Sequence, residues 1–371
     1  MILVWKKPLY TKRQINDAGL TVISPNVSLK EYAKALNVID NWRAAHAYPM
    51  HALAISLRRK TADITGAVVV QRLKRLDTIC KKLKRFPDMN LYRMQDLGGC
   101  RVIVPTVEDV YTVKHRIETS RSRHEPKPPK DYIKNPNPST GYRSVHLIYK
   151  YKGAPNSEFN GLLTEIQIRT KLQHLWATTV ETVGLVTGNG LKFNQGSERW
   201  IEYFKLISAL FAIEEGTAPV EGVPSSTWEL LGRIIDVEEE LDAINKMKTI
   251  GFTTRLAGHV GRENEGGYYL LILDLSQLHL EIRYFAGADE GLDEATAQYD
   301  EIEKNKGDRK IDAVLVSAKS YEELVDAYPN YFVDVTEFVE TLLHIMVKNI
   351  DELREMAEKA ADEMSRRGDT L

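Results

Sequence analysis

The sequence predicts a mixed α/β (α+β) protein, a sheet flanked by helices with a second, small α/β segment after it. Three observations carry this. Strand-like runs at 101–104, 145–151 and 162–168 alternate with helix-patterned stretches. Leu163-Thr164-Glu165-Ile166-Gln167-Ile168-Arg169 places polar side chains at every second position. After a Pro-, Gly- and Ser-rich break at 216–226, the chain returns to a β-β-α-β-α-α pattern.

In order along the chain, Tyr32, Leu36, Ile39 and Trp42 recur at helical spacing and place helix over 29–60. Helix is expected to continue over 68–85, where Arg72, Lys74, Arg75, Lys81, Lys82, Lys84 and Arg85 are opposed by Asp77 alone. By itself such a run describes a solvated helix face. Helices are expected at 107–119 and 172–186. Between strands, 126–141 holds five prolines with Lys127, Lys130 and Lys134, a long basic loop of the kind that carries function. A helix follows at 228–248. Leu278, Leu280, Ile282 and Tyr284 then alternate with His279, Glu281 and Arg283 in a half-buried strand, and 311–317 forms another. Ser320 with Glu323, and Asp334 with Glu337, have capping-box spacing and open the last two helices.

Composition narrows the function. The chain has 371 residues, 43% hydrophobic and 27% charged, with a formal charge of −2. Nucleic-acid contact would therefore need a local basic patch. The two cysteines, Cys80 and Cys100, exclude a disulfide framework and fit a reducing compartment. The apolar start before Lys6 and Lys7 is too short for a signal segment, and no run reaches the roughly 18 apolar residues of a membrane helix. A cytoplasmic location is expected. There is no Walker A motif, no adjacent His-Asp pair, and no metal-ligand spacing among nine histidines.

The chemistry concentrates in three places. Glu165, Gln167 and Arg169 share one strand face, a poor core and a good pocket wall; a solvated sheet face is the alternative. Asp96, before Gly98-Gly99, is a turn residue or, with Glu165 on a neighbouring strand, half of a Mg²⁺ site, since Mg²⁺ takes one or two carboxylates plus phosphates. Lys130-Asp131-Tyr132-Ile133 precedes Gly141-Tyr142-Arg143-Ser144-Val145-His146, where Tyr142 at a strand mouth could stack on a base or plug the sheet end.

Together these blocks, in this order, resemble the RelA/SpoT synthetase family over roughly residues 68–186: the basic run, Asp-x-x-Gly-x-Arg (Asp96 to Arg101), Lys-Asp-Tyr-Ile with Gly-Tyr-Arg-Ser-x-His, and Glu-Ile-Gln-Ile-Arg-Thr. The resemblance implies a nucleotidyltransferase-like sheet and pyrophosphate transfer from ATP. It implies that Arg72 and Arg101 sandwich adenine. Lys74, Thr78, Lys82 and Arg85 would hold the triphosphate, with Lys130 in the ATP-binding set. Asp96 and Glu165 would serve Mg²⁺, and Glu165 would also activate the attacking hydroxyl. Tyr142 would stack on the acceptor base, and His146, Gln167 and Arg169 would line the site. Two departures concern the acceptor: Pro128 stands where the family often has arginine, and 135–140 carries no lysine.

Asn41 to His46, the 175–181 helix and the C-terminal pattern resemble toxic small alarmone synthetases with a fused antitoxin. In that group the acceptor is the tRNA 3′ CCA end, a Tyr-x-x-Tyr motif plugs the ATP site, and a phage capsid protein relieves the plug. Tyr328-Pro329-Asn330-Tyr331 has that pattern, which would equally suit tyrosines anchoring a turn. Arg58, Arg59 and Lys60 are candidate tRNA contacts or a plain surface-helix end. The expected organisation is 1–66 helical, 67–216 synthetase, 217–254 helical linker and 255–371 regulatory. Rival functions are an alarmone synthetase using GDP or GTP and a non-catalytic nucleotide sensor.

Overall fold

The computed structural model describes residues 5–186, 198–254, 267–274, 279–286, 289–305, 311–318, 324 and 335–368. Three helices lead in. α1 (Lys12–Thr21) and α2 (Leu29–Ala45) open on capping boxes, Thr11 with Gln14 and Ser28 with Glu31, which satisfy first-turn N–H groups. α3 (Ala47–Lys60) follows at once.

The stretch expected as one helix over 68–85 divides. Val68-Val69-Val70 stiffens the backbone toward extended conformations. β1 (Val68–Leu73) accordingly pairs antiparallel with β2 (Gly98–Val104), and helix α4 (Leu76–Arg85) starts only afterwards. Leu76, Ile79, Cys80 and Leu83 bury one stripe of α4. Thr78, Lys82 and Arg85 recur at i, i+4 and i+7 on another. Arg72 and Lys74 therefore belong to a strand and its exit, not to a basic helix.

α5 (Val107–Glu118), β3 (Glu125–Pro126), β4 (Lys130–Asp131), β5 (Val145–Lys150), β6 (Leu163–Thr170) and α6 (Lys171–Val186) follow. Then come α7 (Glu198–Glu214), α8 (Thr227–Leu241) and α9 (Ala243–Thr254). The helix expected over 228–248 is thus two, broken at Asp242, whose φ of 50° is left-handed. The C-terminal part gives β7 (Gly267–Asp274), β8 (His279–Ala286), α10 (Asp289–Asn305), β9 (Ile311–Ala318) and α11 (Thr336–Gly368). Ser320, Glu323 and Asp334 lie outside the described residues. Among those residues no helix is long and apolar enough to cross a membrane.

The described strands form one sheet, whose path runs β3-β5-β6-β2-β1-β9-β7-β8. β6 and β2 are parallel; β1 and β9 pair antiparallel at Gln71↔Ser317 and Arg72↔Val316. The C-terminal strands thus extend the sheet of the first half. Two buried ion-pair groups reinforce the join. Arg43 of α2 binds Asp40 at 2.5 Å and Asp300 of α10 at 2.9 Å, under the Tyr299 ring at 4.8 Å, with Lys6 on the other Asp300 oxygen. Arg75, at the mouth of α4, pairs with Asp312 of β9.

The chain gathers into two compact units. Met1–Lys130, Ser144–Lys171 and Ala257–Tyr331 form the unit with the sheet. Asp131–Arg143, Leu172–Leu256 and Phe332–Leu371 form a helical unit. The helical unit has its own core of Trp176, Tyr203, Phe204, Phe211, Ile234 and Phe338.

Candidate active site

Register decides what meets on the sheet. α3 and α5 cover the face carrying Cys100, Ile166 and Ile168, and Cys100 Sγ donates to the Met50 carbonyl. The opposite face runs in rows. One row is Ile148, Glu165, Gly99, Arg72, Val316, Tyr269 and Tyr284; the next is His146, Gln167, Arg101 and Val70. Gly99 contributes no side chain, so the first row has a gap between the Glu165 carboxylate and Arg72. Among the described residues, a Cβ there would meet only the Glu165 carbonyl, at 3.6 Å. Arg101 stands beside the gap. This brings Glu165 and Gln167, which the alternation in β6 places on one face, together with His146, Arg72 and Arg101.

The polar side chains are chained. Glu165 Oε1 shares a hydrogen bond with His146 Nδ1 at 2.9 Å, and Gln167 Nε2 donates to Glu165 Oε2 at 2.8 Å. Arg169 donates to Gln167 Oε1 at 2.9 Å but is itself 1% exposed, so it acts on this face through Gln167. Burial would raise the Glu165 pKa; the His146 contact and the Gln167 amide outweigh burial and the Asp96 charge, and hold it below the ordinary value.

Asp96 sits in the turn before β2. Lys82 Nζ lies 2.9 Å from both of its carboxylate oxygens, and Lys74 Nζ 3.0 Å from Oδ2. Burial would raise the carboxyl, but the two lysine charges hold it well below the usual range. Burial also depresses Lys74, offset in part by Asp96. Thr78 and Arg85 share the α4 stripe with Lys82, and Lys130 is exposed. The turn is seated by close approach: a Cβ at Gly98 would meet His46 Cβ at 3.0 Å and its carbonyl oxygen at 3.2 Å. His46 is fully buried, with Nδ1 2.7 Å from the Trp42 carbonyl, and burial lowers its pKa to about 4.

The donor set fits a hard cation such as Mg²⁺. It offers two hard carboxylates, and Asp96 lies near enough to act on Glu165 electrostatically. Among the described residues no group of three or more His, Cys, Asp or Glu could hold a metal. The remaining ligands would have to be phosphate oxygens and water.

Tyr142 belongs to the helical unit, where it packs on that unit's core, 5.7 Å from Tyr132 in an edge-to-face pair. Its loop is held by residues that sequence reading missed. Asn137 closes it, accepting from the Ser139 and Thr140 amides through Oδ1 and from the Gly141 amide through its carbonyl. Gly141 has φ +77°, and a Cβ there would meet Ser208 Cβ at 2.8 Å. Ser208 Oγ donates to the Gly141 carbonyl at 2.5 Å. Buried Arg143 donates to Ser208 Oγ, Thr217 Oγ1 and the carbonyls of Ile133 and Ala218. Only the Gly-Tyr-Arg-Ser spelling signalled this clamp. Arg58, Arg59 and Lys60 end α3. Tyr328 and Tyr331 lie outside the described residues.

Two carboxylates opposed by strand and helix cations define a mixed α/β region built for a polyanion. Residues 71–183 match the family model "Region found in RelA / SpoT proteins", so that stretch of the chain is RelA/SpoT-like. GTP pyrophosphokinase YjbM of Bacillus subtilis (strain 168) is 35% identical over 112 residues, 30% of this chain and 52% of that protein. GTP pyrophosphokinase YwaC of the same organism is 32% identical over 113 residues, 29% and 52%. The uncharacterized protein Rv1366 of Mycobacterium tuberculosis (strain ATCC 25618 / H37Rv) is 29% identical over 197 residues, 52% and 66%. The chain spans about half the length of the two pyrophosphokinases. The crystal structure of small alarmone synthetase 1 from Bacillus subtilis bound to its product pppGpp aligns at a TM-score of 0.40 and 22% identity, over 46% of this chain and 90% of that one.

Proposed function

We propose that this chain is an ATP-dependent pyrophosphotransferase acting on a ribose 3′-hydroxyl. The observation that carries the reading is the Gly99 gap, with an ionised, doubly hydrogen-bonded Glu165 on one side and Arg72 on the other. Arg72 and Arg101 flank the adenine, and Lys74, Thr78, Lys82, Arg85 and Lys130 run along the phosphates. Mg²⁺ held by Asp96 and Glu165 would supply charge neutralisation at the transferring phosphoryl groups. The acceptor oxygen attacks the β-phosphorus in line, the bond from that phosphorus to the oxygen bridging to the α-phosphate breaks, and AMP leaves with it. Glu165 receives the hydroxyl proton, and His146 and Gln167 fix its orientation. The rest is positioning, which phosphoryl transfer chiefly needs.

For the acceptor we favour the 3′ end of tRNA, with Tyr142 stacking on the terminal base. The loop 135–140 has no lysine, and Pro128 replaces a cation, which leaves little to hold the phosphates of a free guanine nucleotide. The names of YjbM and YwaC support the second reading, GDP or GTP as acceptor. In the first reading the chain is a toxin in phage defence. Residues 255–371 restrain it through Tyr328 and Tyr331, and a phage protein such as capsid releases it. Incubating the protein with γ-labelled ATP and either tRNA or GDP decides: label on tRNA that is weakened by added salt supports the first, and label on GDP alone overturns it.

A further inference from the structure

We propose that Lys74 and Lys82 keep divalent cations off Asp96 until a polyphosphate arrives, so that metal and ATP enter this site as one unit. The inference rests on the reading of Asp96 as a metal ligand and adds an order of events to it. Lys82 Nζ bridges both Asp96 oxygens at 2.9 Å, and Lys74 Nζ takes Oδ2 at 3.0 Å. A Mg²⁺ ion must come within about 2.1 Å of a carboxylate oxygen. That would set a double charge within a few ångströms of two ammonium groups, in a partly buried place where water screens poorly. The lysines also make three contacts to the carboxylate, out of its roughly four acceptor positions, which leaves less to draw the ion in.

The clamp is anchored on two elements. The Lys74 amide donates to the Leu97 carbonyl at 2.8 Å, which ties the exit of β1 to the turn bearing Asp96. Lys82 projects from α4, on the stripe with Thr78 and Arg85. A triphosphate along that stripe brings several negative charges to ammonium groups on flexible four-carbon stems. They exchange one carboxylate for phosphate oxygens, and Asp96 is released where the phosphates can complete a metal's coordination. Because binding free energies are linked, the factor by which nucleotide raises metal affinity equals the factor by which metal raises nucleotide affinity.

The test titrates Mn²⁺ against the full chain by the loss of its free-ion paramagnetic resonance signal, with and without α,β-methylene ATP, correcting for Mn²⁺ bound to nucleotide alone. Wild type should bind Mn²⁺ at least tenfold more weakly without the analogue. Lys82→Met should gain at least tenfold in nucleotide-free Mn²⁺ affinity and lose affinity for the metal-free analogue. Lys74→Met should shift both in the same direction, and adding Asp96→Asn to either should abolish the gain. Equal Mn²⁺ affinity of wild type with and without analogue overturns the clamp. So does the absence of any gain in both lysine variants while their circular dichroism is native. If Asp96→Asn leaves ternary binding unchanged, the metal assignment falls first and takes the clamp with it.

Discussion

β6 and β7 are both interior strands of one sheet, and they are built on different rules. β7 reads Tyr269-Leu270-Leu271-Ile272-Leu273, each no more than 8% exposed, so both faces are apolar and packed. β6 keeps Ile166 and Ile168 on the packed face and spends the other on Glu165, Gln167 and Arg169. A strand buried on both sides holds the sheet together. One that sets a polar row beside a glycine gap costs stability and gains chemistry.

The sharpest way to break this contrast is to alter both strands. Glu165→Gln should lower pyrophosphate transfer on the order of 10³-fold or more, about 4 kcal/mol in barrier, with little change in melting temperature. Leu271→Ala should instead cost about 2–5 kcal/mol of stability and leave the activity per folded molecule near wild type. Transfer assays beside thermal unfolding measure both; a destabilised Glu165→Gln with native activity would erase the distinction.

Next in size is the join between the two halves of the sheet. Arg43→Met leaves Asp40 and Asp300 buried without their shared cation, a loss of about 3–5 kcal/mol measured by denaturant unfolding. If unfolding is unchanged, the Arg43 group does not hold the join, and backbone pairing with the Arg75–Asp312 pair does.

The smallest effect sharpens the site's footing. His46 has a folded pKa of about 4 against an ordinary 6.5. Between those values the unfolded chain takes up a proton that the folded one refuses, so stability is full above pH 6.5 and falls as pH drops toward 4. The loss approaches about 3 kcal/mol at its limit. His46→Asn should flatten that part of the unfolding midpoint against pH; an unaltered slope would mean the ring is not the group titrating.

The polar face of β6 was legible because a two-residue period needs no partner to be recognised. β1 is obscured in the sequence because its basic residues, from Arg72, run on into those of α4 and hide the strand preference of the three valines ahead of them. The lysine clamp and the Arg43 group were invisible for another reason: Lys82 and Asp96 are 14 positions apart, and Arg43 and Asp300 are 257 apart. The loop around Tyr142 stood out by its Gly-Tyr-Arg-Ser spelling but its support did not, since Ser208 lies on a helix whose own pattern is ordinary core and Thr217 on the segment after it.

The pairing of Arg72 with Val316 also sets a timetable. At ribosomal rates of 5–20 residues per second, β9 emerges roughly 12–50 seconds after β1. During that interval the strand holding Arg72 has an open edge, and Arg75 waits for Asp312. The nascent chain therefore carries Arg72, Arg101, His146, Glu165 and Gln167 while the sheet beneath them is still incomplete. Translation itself delays the moment at which that polar face is fully supported.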